Sequence, residues 1–434
     1  MKNQVDACKM SWFFLNGTLV KLTWKSLWNR RINLILTVIS IAISVALLIG
    51  VEYLNKETKT SFLNTVSGTD LVVGARSGPI QLLLYSVFHI GNATNNIGWD
   101  SYQKISKNKY VKWTIPLSLG DSHKGFRVLG TNQNFFIHFK YGEKQALVFL
   151  QGKPFSSVYD AVLGASVADK LGYKIGDKFI VAHGGGATSF SLHKDKPFTV
   201  TGILKPTGTP VDQTVLVTLE GIEAIHIDWR SGAPTGLKIS AEKAAKMNLT
   251  PKVITAFLVG MKNRITSFKV QRNINNYPHE ALLAILPGVA LADLWHTLGQ
   301  FEKVLRIITL FVVIAGLLGM LTSIISTLNE RRREMAILRA TGAHPSQIFL
   351  LFIIEAFILS FLGALLGMLI VFIGVIVARP WVLSHYGFHL HTWMPSLMDA
   401  TILALVILFA VLFSLLPSWI AYRRSLQDGL TVKL

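Results

Sequence analysis

Four long apolar runs limit the folds open to this chain more strictly than any other feature of its sequence. They cover residues 32–51, 304–328, 348–378 and 399–421. A helix needs about 20 apolar residues to cross a hydrocarbon core about 30 Å thick. Charged residues make up only 15% of the chain, whereas soluble proteins contain about 25%. The sequence therefore predicts a membrane protein with four transmembrane α-helices.

Basic residues predict how these spans are oriented. Arginine pairs lie just before the first span and just after the fourth, and further arginines lie within 329–347. Residues 379–398 contain one arginine and no lysine. Because lysine and arginine gather on the cytoplasmic side of a membrane, we expect a multi-pass protein of the bacterial inner membrane with both termini in the cytoplasm.

The spans divide the chain into segments with predicted locations. They are a cytoplasmic N-terminal segment (1–31), the first span (32–51), a periplasmic domain (52–303), the second span (304–328), a cytoplasmic segment (329–347), the third span (348–378), a short periplasmic loop (379–398), the fourth span (399–421) and a cytoplasmic tail (422–434). The alternative for the first run is a cleaved signal peptide. Glu52 and Tyr53 follow it instead of the small residues of a cleavage site, which favours an uncleaved anchor.

The large segment between the first two spans is predicted to be an α+β domain. Short β-like runs alternate with turns, and residues 291–305 are amphipathic and are expected to continue directly into the second span. The predicted strands cover 71–73, 111–119, 198–204, 214–218 and 248–262, and residues 162–182 are predicted to form a strand, a helix (165–171) and a second strand. A further predicted helix covers 267–276. Cys8 is the only cysteine, so no disulfide can form within one chain and the domain depends on an apolar core.

Motifs of enzymes and of nucleic-acid-binding proteins are absent from the sequence. There is no G-x-x-x-x-G-K-[ST] loop, G-x-S-x-G elbow or H-E-x-x-H helix. The net charge of +19 has no nucleic-acid motif beside it, so we attribute it to membrane topology. We therefore expect neither an enzyme nor a nucleic-acid partner, and no cofactor bound by this chain.

The segment joining the second and third spans is the most informative part of the sequence. Residues 329–356 read NERRREMAILRATGAHPSQIFLLFIIEA. Their first half predicts a short amphipathic helix with Met335, Leu338 and Ile337 on its apolar face, ended by Gly342 and Pro345. Such a helix is either a basic anchor at the membrane surface or a docking helix for a cytoplasmic partner, and the pattern alone does not decide between them.

This segment resembles the signature of the FtsX-like permease family, the membrane subunits of ABC transporters of the MacB-like and lipoprotein-releasing kind. The stretches DLVVGARSGPIQLLL, VLGASVADKLGYKIGDKFIV and FTVTGILKPTGTPVDQTV resemble the family's periplasmic core domain. The resemblance implies that the short helix is the coupling helix that contacts the ATPase. The residues matching this role are Glu334, Met335, Ala336, Ile337, Leu338, Arg339, Ala340, Gly342 and Ala343. MacB carries its ATPase on the same chain, and these 434 residues show no ATPase motif.

The resemblance therefore implies several partners. They are a separate cytoplasmic ATPase that binds ATP and Mg²⁺, a second permease protomer that is a copy or a paralogue, membrane lipid and a periplasmic partner protein. The expected function is a permease subunit that transmits the motion of the ATPase to its periplasmic domain. The alternatives are an ATPase-coupled scaffold that regulates an envelope enzyme, and metal-linked transport or sensing.

Three features within or near the third span have expected roles of their own. Glu355 is an ionisable residue inside a span, so it either pairs with an arginine of 329–347 or relays motion from the ATPase. Gly363 and Gly367 form a small-xxx-small pair that permits close helix packing. His385, His389 and His391 are either ordinary loop residues or ligands for zinc.

Overall fold

The computed structural model describes residues 17, 20–65, 67–184, 195–230, 233–234, 239–330, 332–386 and 390–427. The chain divides into two compact units. The first, here called the helical unit, comprises Met1–Lys56, Gln300–Ala378 and His391–Leu434. The second, here called the sheet domain, comprises Glu57–Gly299 and Arg379–Leu390.

The described helices are numbered in chain order. They are α1 (Arg31–Thr65), α2 (Pro79–Val87), α3 (Trp99–Ser106), α4 (Asn134–His138), α5 (Ala165–Leu171), α6 (Leu219–His226), α7 (Ala241–Ala244), α8 (Ser267–Asn275), α9 (Pro287–Glu330), α10 (Arg332–Ala340), α11 (Pro345–Tyr386) and α12 (Leu397–Gln427). Residues 20–29 are also helical. Two 3₁₀ turns cover Pro210–Gln213 and Arg264–Thr266.

The described strands are likewise numbered in chain order. They are β1 (Leu71–Ala75), β2 (Ile97–Gly98), β3 (Val111–His123), β4 (Phe126–Thr131), β5 (Lys140–Tyr141), β6 (Gln145–Ala146), β7 (Phe149–Gly152), β8 (Asp160–Leu163), β9 (Lys178–Phe179), β10 (Ala182–His183), β11 (Phe198–Leu204), β12 (Thr214–Thr218), β13 (Trp229–Arg230), β14 (Ala233–Pro234), β15 (Val253–Ile254), β16 (Ala256–Met261) and β17 (Leu282–Ile285).

The four predicted spans are confirmed. Within the described residues, four helices are long and apolar enough to cross a membrane, and they cover Arg31–Thr65, Pro287–Leu328, Pro345–Val382 and Leu397–Arg423. Each is longer than the predicted span. The expected continuation of the second span is present, because α9 runs unbroken from Pro287 to Glu330.

One predicted boundary needs correction. Residues 379–398 are expected to form a loop, but α11 continues through Pro380 to Tyr386, so the first eight of them are helical. A proline inside a helix removes one backbone hydrogen bond and clashes with the carbonyl one turn earlier. Membrane-spanning helices nevertheless tolerate proline, because neighbouring groups satisfy the freed backbone carbonyl.

Glycine allows close contacts between the membrane-spanning helices. A Cβ added at Gly363 would lie 2.6 Å from a methyl group of Ile41 on α1, and one added at Gly367 would lie 2.8 Å from the carbonyl oxygen of Ala42. On α9, a Cβ at Gly316 would lie 2.5 Å from the Ser44 hydroxyl oxygen. These distances are shorter than any ordinary contact, so α1 packs against both α9 and α11 at positions where only glycine fits.

Replacing Gly367 with alanine should therefore destabilise the helical unit. The new methyl group meets backbone, which cannot rotate away, and overpacking of this kind costs about 1–3 kcal/mol. We expect a lower midpoint of thermal unfolding for the purified protein in detergent. Gly374→Ala on the same helix is the matched control, because a Cβ at Gly374 meets nothing within 4 Å. Equal midpoints for both variants would contradict this packing.

The sheet domain is built on one mixed sheet. Within the described residues it contains eleven strands, in the order β17-β1-β16-β3-β4-β12-β8-β11-β7, with β10 added to β3 and β9 added to β11. Most neighbours are antiparallel, whereas β12 pairs parallel with β4 and β11 pairs parallel with β8. Strands β1, β8, β12 and β16 are buried along their whole length, as expected for apolar strands covered on both faces.

Candidate functional site

The candidate site is centred on α10, the short helix between the second and third spans. Its C-terminal end is fixed by Gly342, which has φ +96°. The Ala343 N–H donates to the Leu338 carbonyl (2.9 Å), and the Gly342 N–H donates to the Arg339 carbonyl (3.0 Å). Bonds of this kind satisfy the last carbonyls of a helix and favour glycine in the left-handed conformation. The predicted turn at Gly342 is therefore confirmed.

The apolar residues predicted to share one face of α10 divide into two environments. Met335 is only 8% exposed and belongs to the same core cluster as Leu27 and Phe352. Ile337 is 57% exposed, and Leu338 is half-buried. Met335 thus fixes α10 to its own chain, whereas Ile337 presents apolar surface outward.

Glu334 connects α10 to the chain ahead of the first span. Its Oε2 atom accepts a hydrogen bond from the Ser26 hydroxyl (3.4 Å), and its Oε1 atom lies 3.9 Å from an Arg30 Nη atom. Arg30 also donates to the Thr327 carbonyl near the end of α9 (3.2 Å). The carboxylate is half-exposed, so the ion pair itself adds at most about 1 kcal/mol. Its effect is mainly to orient α10.

A groove lies beside α10 in the helical unit. Its volume is about 290 Å³, and it is lined by Leu22 and Lys25, by Ile337 and Leu338, and by the start of α11. Sequence reasoning did not anticipate the helical residues 20–29 that form one wall. The sequence signal that could have predicted this helix is the spacing of Trp24 and Trp28, which are one helical turn apart. In the structure their rings stack with centroids 6.2 Å apart and are substantially exposed. Exposed tryptophans beside lysines are typical of membrane interfaces.

Glu355 lies in the interior of the helical unit. It is 5% exposed and belongs to α11. Its expected pairing with an arginine of 329–347 stays a prediction. Arg339 of α10 has a buried Nη1 atom that forms no hydrogen bond with any described group. Ionisable side chains at such depth are expensive and are kept for a structural or functional reason.

Of the three histidines considered as zinc ligands, His391 is the one whose side chain the structure describes. His389 and the side chain of His385 lie outside the described residues. His391 is exposed, and its carbonyl accepts a hydrogen bond from the Tyr53 hydroxyl. The metal role of this set stays a prediction.

Comparison with protein families identifies both parts of the chain. Residues 306–426 match the FtsX-like permease C-terminal family, and residues 34–257 match the MacB-like periplasmic core domain. The first match contains α10 and the last three spans. The second contains the first span and most of the sheet domain, which is accordingly the α+β periplasmic core domain of this family.

Individual relatives are distant but extend over most of the chain. The pyoverdine export ATP-binding/permease protein PvdT of Pseudomonas savastanoi pv. phaseolicola is 22% identical over 361 residues, which are 81% of this chain and 51% of the relative. The macrolide export ATP-binding/permease protein MacB of Nitrosomonas europaea is 21% identical over 378 residues, which are 83% of this chain and 51% of the relative. The chain thus spans about half the length of these curated relatives.

Among solved structures, the periplasmic region of MacB from Actinobacillus actinomycetemcomitans aligns with a TM-score of 0.32 and 11% identity. The alignment covers 54% of this chain and 97% of that structure. The two family matches cover most of the chain, and the four spans and the position of α10 agree with them. The chain therefore belongs to the FtsX-like, MacB-like family of ABC transporter permeases of the inner membrane.

Proposed function

We propose that this chain couples ATP hydrolysis by a separate cytoplasmic ATPase to motion of its sheet domain, which acts on a substrate or partner in the periplasm or outer leaflet. The observation that carries the proposal is the outward position of Ile337 on α10. This large apolar side chain is 57% exposed, and Met335 holds the other side of the helix in place. Such a side chain is suited to insert into an apolar groove of a partner protein.

The proposal requires α10 and both termini to lie in the cytoplasm. Support comes from basic residues next to the helix ends. Arg30 contacts α10 and the last turn of α9, and the Arg423 guanidinium lies 5.4 Å from the centre of the Trp419 ring. Tryptophan is typical of either membrane interface, and the arginine beside it favours the interface that faces the cytoplasm.

Transmission would follow from the continuity of the helices. A displacement of α10 would act on α9 through the one residue between them and through the Arg30 contacts. As one helix of 44 residues, α9 is about 66 Å long at 1.5 Å per residue. A helix moves as a rod when its hydrogen bonds are unbroken, so motion at one end would reach residues of the sheet domain at the other.

Two further parts of the proposal come from the family. We infer that two protomers pair in the membrane, each with one ATPase. The names of the relatives describe export of pyoverdine and of macrolides by those proteins. For this chain we propose a broad substrate class: an amphipathic molecule or a protein held outside the inner membrane.

The experiment is site-specific photo-crosslinking in membranes of the native host. A photoreactive amino acid at position 337 should give one adduct with an ABC ATPase, identified by mass spectrometry. The control position is Leu369, which is 50% exposed on the membrane-spanning part of α11 and should give no ATPase adduct. An adduct with a different protein at position 337, or no protein adduct there, would contradict the proposal.

A further inference from the structure

Three side chains of types that can bind a metal ion converge in the sheet domain. They are Asp121, His183 and His226, and one ligand atom from each lies within 4.8 Å of the others. They come from three elements: Asp121 lies on β3, His183 on β10, and His226 is the last residue of α6.

The fold places these side chains side by side for specific reasons. Strand β10 pairs antiparallel with β3, and His183 is directly opposite Asp121. The pairing of β3 with β4 shifts register between Leu119 and Asp121, and irregularities of this kind redirect side chains near functional sites. Helix α6 is capped by the Thr218 hydroxyl, which accepts a hydrogen bond from the Gly221 N–H (2.9 Å). The cap sets where the helix begins, and His226 lies at the end of its second turn.

The spacing of the three ligand atoms fits a small tetrahedral cation. Asp121 Oδ1 lies 3.1 Å from His183 Nδ1 and 3.7 Å from His226 Nε2, and the two nitrogen atoms are 3.3 Å apart. Zinc binds nitrogen and oxygen at about 2.0–2.1 Å in tetrahedral geometry, which separates neighbouring ligands by about 3.3–3.4 Å. Octahedral ligands at about 2.1 Å would be about 3.0 Å apart. The observed triangle is closer to the tetrahedral one.

The hydrogen bonding of His226 also suits a ligand. Its Nδ1 atom lies 2.9 Å from the Ile222 carbonyl oxygen, which can only accept, so Nδ1 donates and the Nε2 atom of the neutral ring presents its lone pair to the cluster. A backbone carbonyl that holds the second ring nitrogen is the usual support for a metal-binding histidine. Asp121 supplies the negative charge, and its side chain is 4% exposed.

A hydrogen-bonded pair of Asp121 and His183 would explain two of the three residues without a metal. The hydrogen bond to Asp121 raises the pKa of His183, while partial burial opposes the rise. His226 Nε2 lies 3.3 Å from His183 Nδ1, which a hydrogen bond would explain, but it also lies 3.7 Å from the Asp121 oxygen. A nitrogen lone pair and a carboxylate oxygen repel each other unless a cation lies between them. A cation shared by all three explains that convergence, with the proton on His183 Nδ1 released when the metal binds.

We propose that Asp121, His183 and His226 form a Zn²⁺ site in the sheet domain with an open fourth coordination position. Two imidazole nitrogens and one carboxylate oxygen are ligands that zinc accepts. Zinc sites with three protein ligands keep the fourth position open for water or a substrate, whereas closed structural sites have four protein ligands. The site would therefore hold zinc for a fourth ligand from another molecule.

The test is calorimetric titration of the full-length protein in detergent with Zn²⁺ alone, after chelator treatment and without a polyhistidine tag. We expect one Zn²⁺ per chain, and at least 10- to 100-fold weaker binding for His226→Ala and for Asp121→Asn. His279→Ala is the control, because His279 is an exposed histidine of the same domain outside the cluster. Asp121→Asn keeps the shape of the side chain, so its effect reports the lost charge and not misfolding.

A second readout comes from a nearby tryptophan. The Trp229 ring centroid lies 5.7 Å from that of His183 and 6.1 Å from that of His226. Paramagnetic Co²⁺ should quench its fluorescence in the wild type and should quench less in Trp229→Phe or His226→Ala.

Unchanged Zn²⁺ affinity in both cluster variants would overturn the inference. So would loss of binding in a triple alanine variant of His385, His389 and His391 with the cluster intact. None of these measurements involves an ATPase, so this inference and the proposed function can fail independently.

Discussion

Replacing Ile337 with aspartate should remove the ATPase from the purified transporter. The side chain is 57% exposed on α10, so the free protein should tolerate the change. In a complex the new carboxylate would be buried in an apolar groove without a partner. Central apolar contacts of this kind contribute at least about 2 kcal/mol, which corresponds to about 30-fold weaker binding. The measurement is the amount of ATPase recovered with each variant from equal amounts of folded permease.

The matched control for this variant is Ile337→Leu, which keeps volume and apolarity and should retain the ATPase. A second comparison is Leu338→Asp. Leu338 is half-buried and lines the groove of its own unit, so this variant should also lower the thermal stability of the protein. Full ATPase recovery with Ile337→Asp would show that Ile337 does not contribute to the contact between α10 and the ATPase.

Replacing Lys196 with alanine should destabilise the sheet domain severely. The ammonium group is fully buried, lies 2.9 and 2.8 Å from the two carboxylate oxygens of Asp228, and lies 3.1 Å from Asp195. Burial alone would raise the pKa of Asp228, but the Lys196 ammonium and hydrogen bonds from backbone N–H groups together outweigh it, and the pKa is lowered. Removing the ammonium leaves the buried Asp228 carboxylate without its opposite charge, which costs about 3–5 kcal/mol. Chemical unfolding followed by tryptophan fluorescence checks this.

The control for Lys196→Ala removes both charges together. A Lys196→Met/Asp228→Leu double variant leaves neither charge of this pair buried without the other, and replacement of a buried ion pair by apolar residues is often neutral. We therefore expect its free energy of unfolding to lie much nearer the wild-type value. Equal destabilisation by the single and the double variant would mean that packing around Lys196, and not the charge of Asp228, dominates.

The sequence was sufficient for features that depend on local pattern. Four apolar runs of membrane-spanning length were recognisable because a bilayer imposes length and apolarity on each span separately. Strands 198–204 and 214–218 were predicted with the bounds of β11 and β12, because β-branched residues and a proline- and glycine-containing turn delimit them. The glycine at 342 was predicted to turn the chain for a similar local reason.

Features that depend on contacts between distant residues were not predictable. Ser26 and Glu334 are 308 positions apart, and no local sequence pattern predicts the hydrogen bond between them. The cluster of Asp121, His183 and His226 depends on the register of β10 against β3 and on a bulge, which a single sequence does not specify. Strand β17 was missed because four residues, LLAI, carry too little periodicity to separate strand from helix.

The division of apolar residues on α10 was missed for a related reason. Helical spacing places Met335 and Leu338 near one another, and Ile337 beside them. Which of the three faces outward depends on where the remainder of the chain packs. The helical residues 20–29 supply that packing, and they lie far away in the sequence.

The central claim, that this permease works with a separate ATPase bound at α10, is tested most directly by purifying the protein from its native host in mild detergent. Proteins recovered with it are identified and quantified by mass spectrometry. We predict an ABC ATPase in about equal amount to the permease, present with the wild type and Ile337→Leu and lost with Ile337→Asp. Recovery of folded permease without any ATPase, or recovery that Ile337→Asp leaves unchanged, would contradict the account.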